Sequence, residues 1–322
     1  MRILSRLPTD PAMKNHLHFR RGFTLLELLI AVTISSIVIV VMLTMTGVVA
    51  DAWRNGNNKV FTNNEARAAF NRLAEDLESA VIRDNIAGAE WFIATSNPAD
   101  FGGSPQPANP TWLMFYSTPS DRQLFEYQPG SLNYDRTKPI PGNVVTLSYK
   151  IVPQDPIKGG NSEFNLYGLY RAMPKGTGNP PNPAKVTFDE ILGKPNLKGF
   201  WSSRSEASDK DNFYISNIFD FSFTFWISKY NTSTGLLETV AMNPSDEIRV
   251  TSEGVWVNVL PTPGTPPTYP GGKLASVDIS MTILTQEGAR RVRDNDIPGS
   301  LSAFAANPDF ARTFAHKVYF AP

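Results

Sequence analysis

One carboxylate stands out by its surroundings. Glu27 is the single charge in the 28 residues from Phe23 to Ala50, a run otherwise made of apolar residues with a few Thr, Ser and Gly. An ionised carboxylate in hydrocarbon costs about 2.5–3.5 kcal/mol at a helix centre and less near an interface, so it seeks a partner. A cation brought beside it would offset much of that cost. Elsewhere, Asp209 with Asp211 and Asp294 with Asp296 have spacings that oxygen-ligated Ca²⁺ can use. Neither pair brings the further ligands of a complete site, and solvated turns are the favoured reading. The stretch Arg72 to Ala80 holds Glu75, Asp76 and Glu78. These could serve as a catalytic carboxylate pair, but a solvated helix face is favoured.

Composition removes most other chemistry. The chain of 322 residues has no Cys, which excludes disulfides, thiolate metal sites and cysteine nucleophiles. Of the three His, His16 and His18 precede the apolar run and only His316 lies in the body, so His-based triads and multi-His metal sites are not expected there. There is no Gly-x-Ser-x-Gly elbow, no His-Glu-x-x-His and no P-loop, so hydrolase, zinc-protease and NTPase functions are not expected, and the chain is not read as an enzyme. With Lys+Arg 30 against Asp+Glu 30 the formal charge is +0, and no nucleic-acid partner is expected. The charge is unevenly placed, however. Residues 1–22 hold five basic residues, among them Arg20 and Arg21, against Asp10 alone, a net of +4 that leaves −4 on the rest.

These residues need a scaffold. At about 1.5 Å per residue, roughly 20 of the apolar positions span a ~30 Å hydrocarbon core, so residues 23–50 predict a membrane helix. The run is too long for the 7–15-residue core of a secretory signal. Its basic flank predicts a cytoplasmic N-terminus and a body on the outer side of the inner membrane. From Asp51 to Lys59, Gly56 and three Asn predict a loosened helix. Ala66, Phe70, Leu73, Leu77 and Val81 then recur at helical spacing, an amphipathic stripe that wants a sheet to cover it.

From about residue 88 the pattern turns to strands. Trp91–Thr95, Trp112–Ser117, Val144–Val152, Leu166–Arg171, Val255–Val259 and His316–Phe320 are β-branched and aromatic runs. Phe219, Phe221, Phe223 and Phe225, then Val277, Ile279, Met281 and Ile283, alternate with polar residues as half-buried strands should. Loops rich in Pro, Gly and Asn lie at Ser96–Pro110, Met173–Ala184 and Pro261–Gly272. Trp112, Trp226 and Trp256 could line a carbohydrate face, but core packing is favoured at most of them. Asn231-Thr-Ser233 fits a glycosylation pattern that carries little weight.

The segment Arg20-Arg21-Gly22-Phe23-Thr24-Leu25-Leu26-Glu27 resembles the processing site of type IV prepilins and type II secretion pseudopilins. The resemblance implies cleavage by a prepilin peptidase after Gly22, N-methylation of Phe23, and pairing of Glu27 with the terminal amine of a neighbouring subunit. Arg72 to Ala80 is also similar to the helix of large minor pseudopilins, the J component. The fold implied is α+β, with a long N-terminal helix packed on an elaborated antiparallel β-rich head. The expected division is a removed leader at 1–22, a transmembrane and filament-core helix at 23–50, an amphipathic helix at 51–86 and a periplasmic head at 87–322. The absence of Pro in the span and the large head favour a minor or tip subunit. Implied partners are the peptidase, other pilins or pseudopilins and an inner-membrane assembly platform; no cofactor is expected beyond the Ca²⁺ candidates. Alternatives are a minor type IV pilin with a ligand-binding head, a prepilin-like protein similar to the Verru_Chthon cassette family, and, in another class, a membrane-anchored periplasmic enzyme or binding protein.

Overall fold

The structure, a computed structural model, describes residues 24–82, 88–96, 111–119, 125–127, 134–139, 144–152, 154–155, 160–161, 167–174, 190–192 and 194–320, apart from 195, 232, 243–245, 262–263, 295 and 298–299. The chain divides into two compact units, one ending at Gly56 and the other beginning at Asn57.

Helix α1 (Leu25–Glu78) is 54 residues long. It runs through Asp51–Lys59 without interruption, so the predicted loosening is not seen. Gly and Asn lower helix propensity by at most about 1 kcal/mol each, which cooperative propagation from both sides overcomes. In the first unit the large apolar side chains from Leu25 to Val49 are exposed, and among the described residues α1 is the one helix long and apolar enough to cross a membrane. In the second unit the helix buries Ala66, Ala69, Phe70, Leu73, Ala74 and Leu77 in the main core. Val81 does not continue this stripe. The helix stops at Glu78, Ala80 bridges to Ser117, and the Val81 N–H donates to the Tyr116 carbonyl at 2.8 Å. Once the chain is extended the helical period no longer applies, and Val81 packs on a second cluster instead.

The strands in chain order are β1 (Phe92–Thr95), β2 (Trp112–Ser117), β3 (Phe125–Tyr127), β4 (Tyr134–Pro139), β5 (Val145–Val152), β6 (Gln154–Asp155), β7 (Gly160–Asn161), β8 (Tyr167–Ala172), β9 (Phe213–Asn231), β10 (Leu236–Ala241), β11 (Ile248–Thr251), β12 (Gly254–Val257), β13 (Tyr269–Pro270), β14 (Lys273–Leu284) and β15 (Ala311–Tyr319). Three short helices, α2 (Leu197–Ser202), α3 (Gln286–Arg293) and α4 (Leu301–Ala306), lie among them. The main sheet has the order β13-β12-β11-β1-β2-β5-β8-β9-β14-β15, with β10 on β9 beyond β8, and every pairing is antiparallel. It curls, so that Phe92 of β1 meets Phe225 of β9 at 5.4 Å between ring centroids. β13 falls inside the stretch predicted as loop at Pro261–Gly272.

Residues of β1, β2, β5 and β8 that face α1 join the main core. The opposite faces of β1, β2 and β8 join a second cluster with Ile191, Leu197 and Trp201 of α2, and Ala207. Burial on both faces explains why Trp112-Leu-Met-Phe-Tyr-Ser117 reads as an unbroken apolar run. β9 and β14 are covered mainly on one face and alternate, as predicted, with one correction. Phe221, Phe223 and Phe225 are core, but Phe219 is not beside them. A register shift opposite Thr282 and Ile283 makes a bulge that turns Phe219 to the other side, against Phe304 of α4 at 6.3 Å. A one-residue slip reverses every following side chain.

Candidate functional site

Arg20, Arg21, Gly22 and Phe23 lie outside the described residues. Glu27 is described, and its spacing from Thr24 has a local use. The Thr24 N–H and hydroxyl both donate to Glu27 Oε2 at 3.0 Å, and the Glu27 N–H donates back to Thr24 Oγ1 at 3.2 Å. This reciprocal capping box opens α1 and supplies the carboxylate with donors from its own chain. The signal was present in the sequence as Thr-x-x-Glu before an apolar run.

The acidic stretch predicted as a solvated face is not uniform. Glu75 is exposed, whereas Asp76 is 1% exposed at the interface of α1 with the sheet. Arg171 of β8 donates to it through Nε at 2.6 Å and Nη2 at 3.1 Å, and the hydroxyl of Tyr149 of β5 donates to Oδ2. Arg72, one turn back, lies 3.2 Å from Oδ1. A buried carboxylate is tolerable because it is paired and hydrogen-bonded. Burial pushes the Tyr149 phenol well above the ordinary tyrosine range, and the Asp76 charge pushes it further. The cluster ties α1 to β5 and β8 through paired and hydrogen-bonded side chains.

A second buried cluster fastens α2. Glu90 Oε2 accepts the N–H groups of Asn196 at 3.0 Å and Leu197 at 2.7 Å, while its other oxygen accepts from Arg249 of β11. Arg249 Nε also donates to Glu247 at 2.7 Å, and Lys198 donates to Glu247 at 2.8 Å. Burial works against the Glu247 charge, but Lys198 and Arg249 outweigh it and hold its carboxyl below the usual range. Asn196 caps α2 from the left-handed region, at φ 94°.

The Ca²⁺ candidates have other partners. Asp209 Oδ1 accepts the Asp211 N–H at 3.1 Å, closing a turn. Asp294 lies 3.6 Å from Arg290, and Asp296 lies 3.1 Å from Arg291. Among the described residues no three His, Asp or Glu side chains gather as a metal site. Trp112 and Trp256 are buried, with indole N–H groups on Ser148 at 2.7 Å and Thr251 at 3.2 Å. Trp226 is half-buried, bonded to Asp278 at 2.6 Å beneath the Lys317 ammonium. Asn231 bonds Glu238 at 2.6 Å across the turn between β9 and β10.

The prokaryotic N-terminal methylation motif matches residues 17–43. The chain therefore carries a prepilin-type N-terminus, as its resemblance to prepilins and pseudopilins implied. No curated protein matches the chain. Among solved structures it is similar to a type IV-like pilin from Thermus thermophilus, at 10% identity over 80% of this chain and 95% of that one, with a TM-score of 0.31. The α+β architecture itself, a long N-terminal helix before a curled antiparallel sheet, is the one expected.

Proposed function

We propose that the chain is a minor pilin- or pseudopilin-like structural subunit, cleaved between Gly22 and Phe23, N-methylated at Phe23 and assembled at or near the tip of a secretion pseudopilus or pilus-like filament. The observation that carries this is the methylation motif over residues 17–43, leading into a helix that is apolar and exposed at its start and built into a folded head at its end. Such a helix serves two solvents in turn: lipid before assembly and neighbouring helices afterwards. Glu27 takes the Phe23 amine of a neighbour, an ammonium that offsets the carboxylate's cost in the membrane. The head is held outside the inner membrane, with the peptidase, sister subunits and an assembly platform as partners. Its role is structural rather than catalytic.

Intact-mass measurement of the protein from membranes with and without a prepilin peptidase tests the reading. The expected product begins at Phe23 and is heavier by ~14 Da for one methyl group. An uncleaved chain in the presence of the peptidase would reduce the N-terminus to an anchor.

A further inference from the structure

The cluster around Asp76 is the buried ion pair within the contact of α1 with the sheet; nearer the surface Tyr214 donates to the Ala68 carbonyl and Arg312 to Asn63, each at 3.2 Å, and just past the helix Ala80 bridges to Ser117. The buried apolar face of α1 consists of Ala66, Ala69, Phe70, Leu73, Ala74 and Leu77, half of them alanines. Alanine methyls offer little shape, and apolar burial has no direction, so a helix on such a stripe has neighbouring positions of similar burial. The charged side chains remove that latitude. Asp76 lies in the guanidinium fork of Arg171, at 2.6 and 3.1 Å, and Arg171 Nε also reaches the Tyr149 hydroxyl at 3.0 Å. Three elements, α1, β5 and β8, meet at this carboxylate. Rolling or sliding the helix would leave a buried carboxylate and a buried guanidinium unpaired, a far larger penalty than a lost methyl contact. The planar fork adds direction to the pairing.

We infer that this cluster, rather than the apolar stripe, sets the axial and rotational position of α1 on the sheet. Asp76 is a positioning residue, Arg171 is its clasp, and Tyr149 completes the carboxylate's hydrogen bonding. The cluster operates whether or not the chain enters a filament.

The chain has no cysteine, so spin labels can be placed cleanly. Asn64→Cys and Asn71→Cys, both exposed on α1, are each paired with Thr313→Cys, exposed on β15, and read by pulsed EPR on the full chain in detergent. The parent background gives one narrow distance per pair. In Asp76→Leu/Tyr149→Phe/Arg171→Met, which removes Asp76 with its partners on β5 and β8 and leaves Arg72 paired with Glu75 at 3.1 Å, both distances broaden or move by several ångström, up to about one 5.4 Å turn. Arg171→Lys keeps the charge but loses the fork, so it broadens the distances less, and it decides the matter if the triple variant does not fold. Parent-like distances in either folded variant, with only the melting temperature lowered, would overturn the inference.

Discussion

Glu27 and Asp76 are carboxylates on the same helix, and their surroundings give them different work. Glu27 is held by Thr24 within its own first turn, a local arrangement that leaves it at the surface of the isolated chain. Replacing it by Gln keeps the shape and removes the charge. Glu27→Gln is expected to insert and fold normally but to be missing from sheared filament fractions; parent-like incorporation would contradict the proposed pairing. Asp76 is different because it is buried against Arg171. Asp76→Ala should cost about 3–5 kcal/mol in urea denaturation, since it strands a buried guanidinium. Glu75→Ala, at a side chain 58% exposed, should stay within about 0.5 kcal/mol. Equal effects of the two would mean that the adjacent acids share one environment.

Among the elements, β9 and the α3–α4 insertion show how a local pattern is redirected. Phe221 and Phe219 are two apart in the same strand, yet a bulge sends them to different clusters. Phe221→Ala should cost about 3–5 kcal/mol, as a large core truncation does. Phe219, half-buried against α4, should cost less, and its loss should raise amide exchange in residues 301–306 ahead of the rest of the head. Gly288 permits the close approach of α3 to the turn that leads into β15: a Cβ there would lie 1.9 Å from the Phe310 carbonyl oxygen. Gly288→Ala is therefore expected to lower the melting temperature markedly, while Gly264→Ser, in open space, tests only its positive φ of 86°. A parent-like melting temperature for Gly288→Ala would mean that α3 is free to move away.

At the scale of the molecule, the buried polar groups set the pH range of the head. Burial pushes Tyr167 up to about 12, and burial together with the Asp76 charge pushes Tyr149 higher. Both phenols keep their protons in the folded state where an unfolded tyrosine, at about 10, loses them. The stability they contribute is intact below about pH 10 and falls as the pH rises from there through the folded-state values. Tyr167→Phe should flatten that fall in urea midpoints measured between about pH 9 and 11; an unchanged slope would show that Tyr167 titrates normally. Glu247 works at the other end, because its lowered value gives stability that is lost as the pH falls through it.

The N-terminal helix, the prepilin-type motif, the absence of cysteine chemistry and most of the strands that β-branched and aromatic runs announce are legible along the chain. Hydropathy, spacing and residue type are properties of neighbours in the chain, and these features depend on little else. Three short helices were also legible in principle from Asn196, Thr285 and Ser300, each of which caps a first turn, but runs of 6 to 8 residues leave too little periodicity to recognise. Tertiary structure alone decided that Asp76 is buried while Glu75 is not, because its partner Arg171 is 95 residues away. It also decided that Phe219 leaves the core, that Glu90 and Arg249 pair across 159 residues, and that Trp226 reaches the surface while Trp112 and Trp256 do not. Burial and charge pairing depend on which distant segments close over a side chain, and no window of the sequence contains both halves of such a contact.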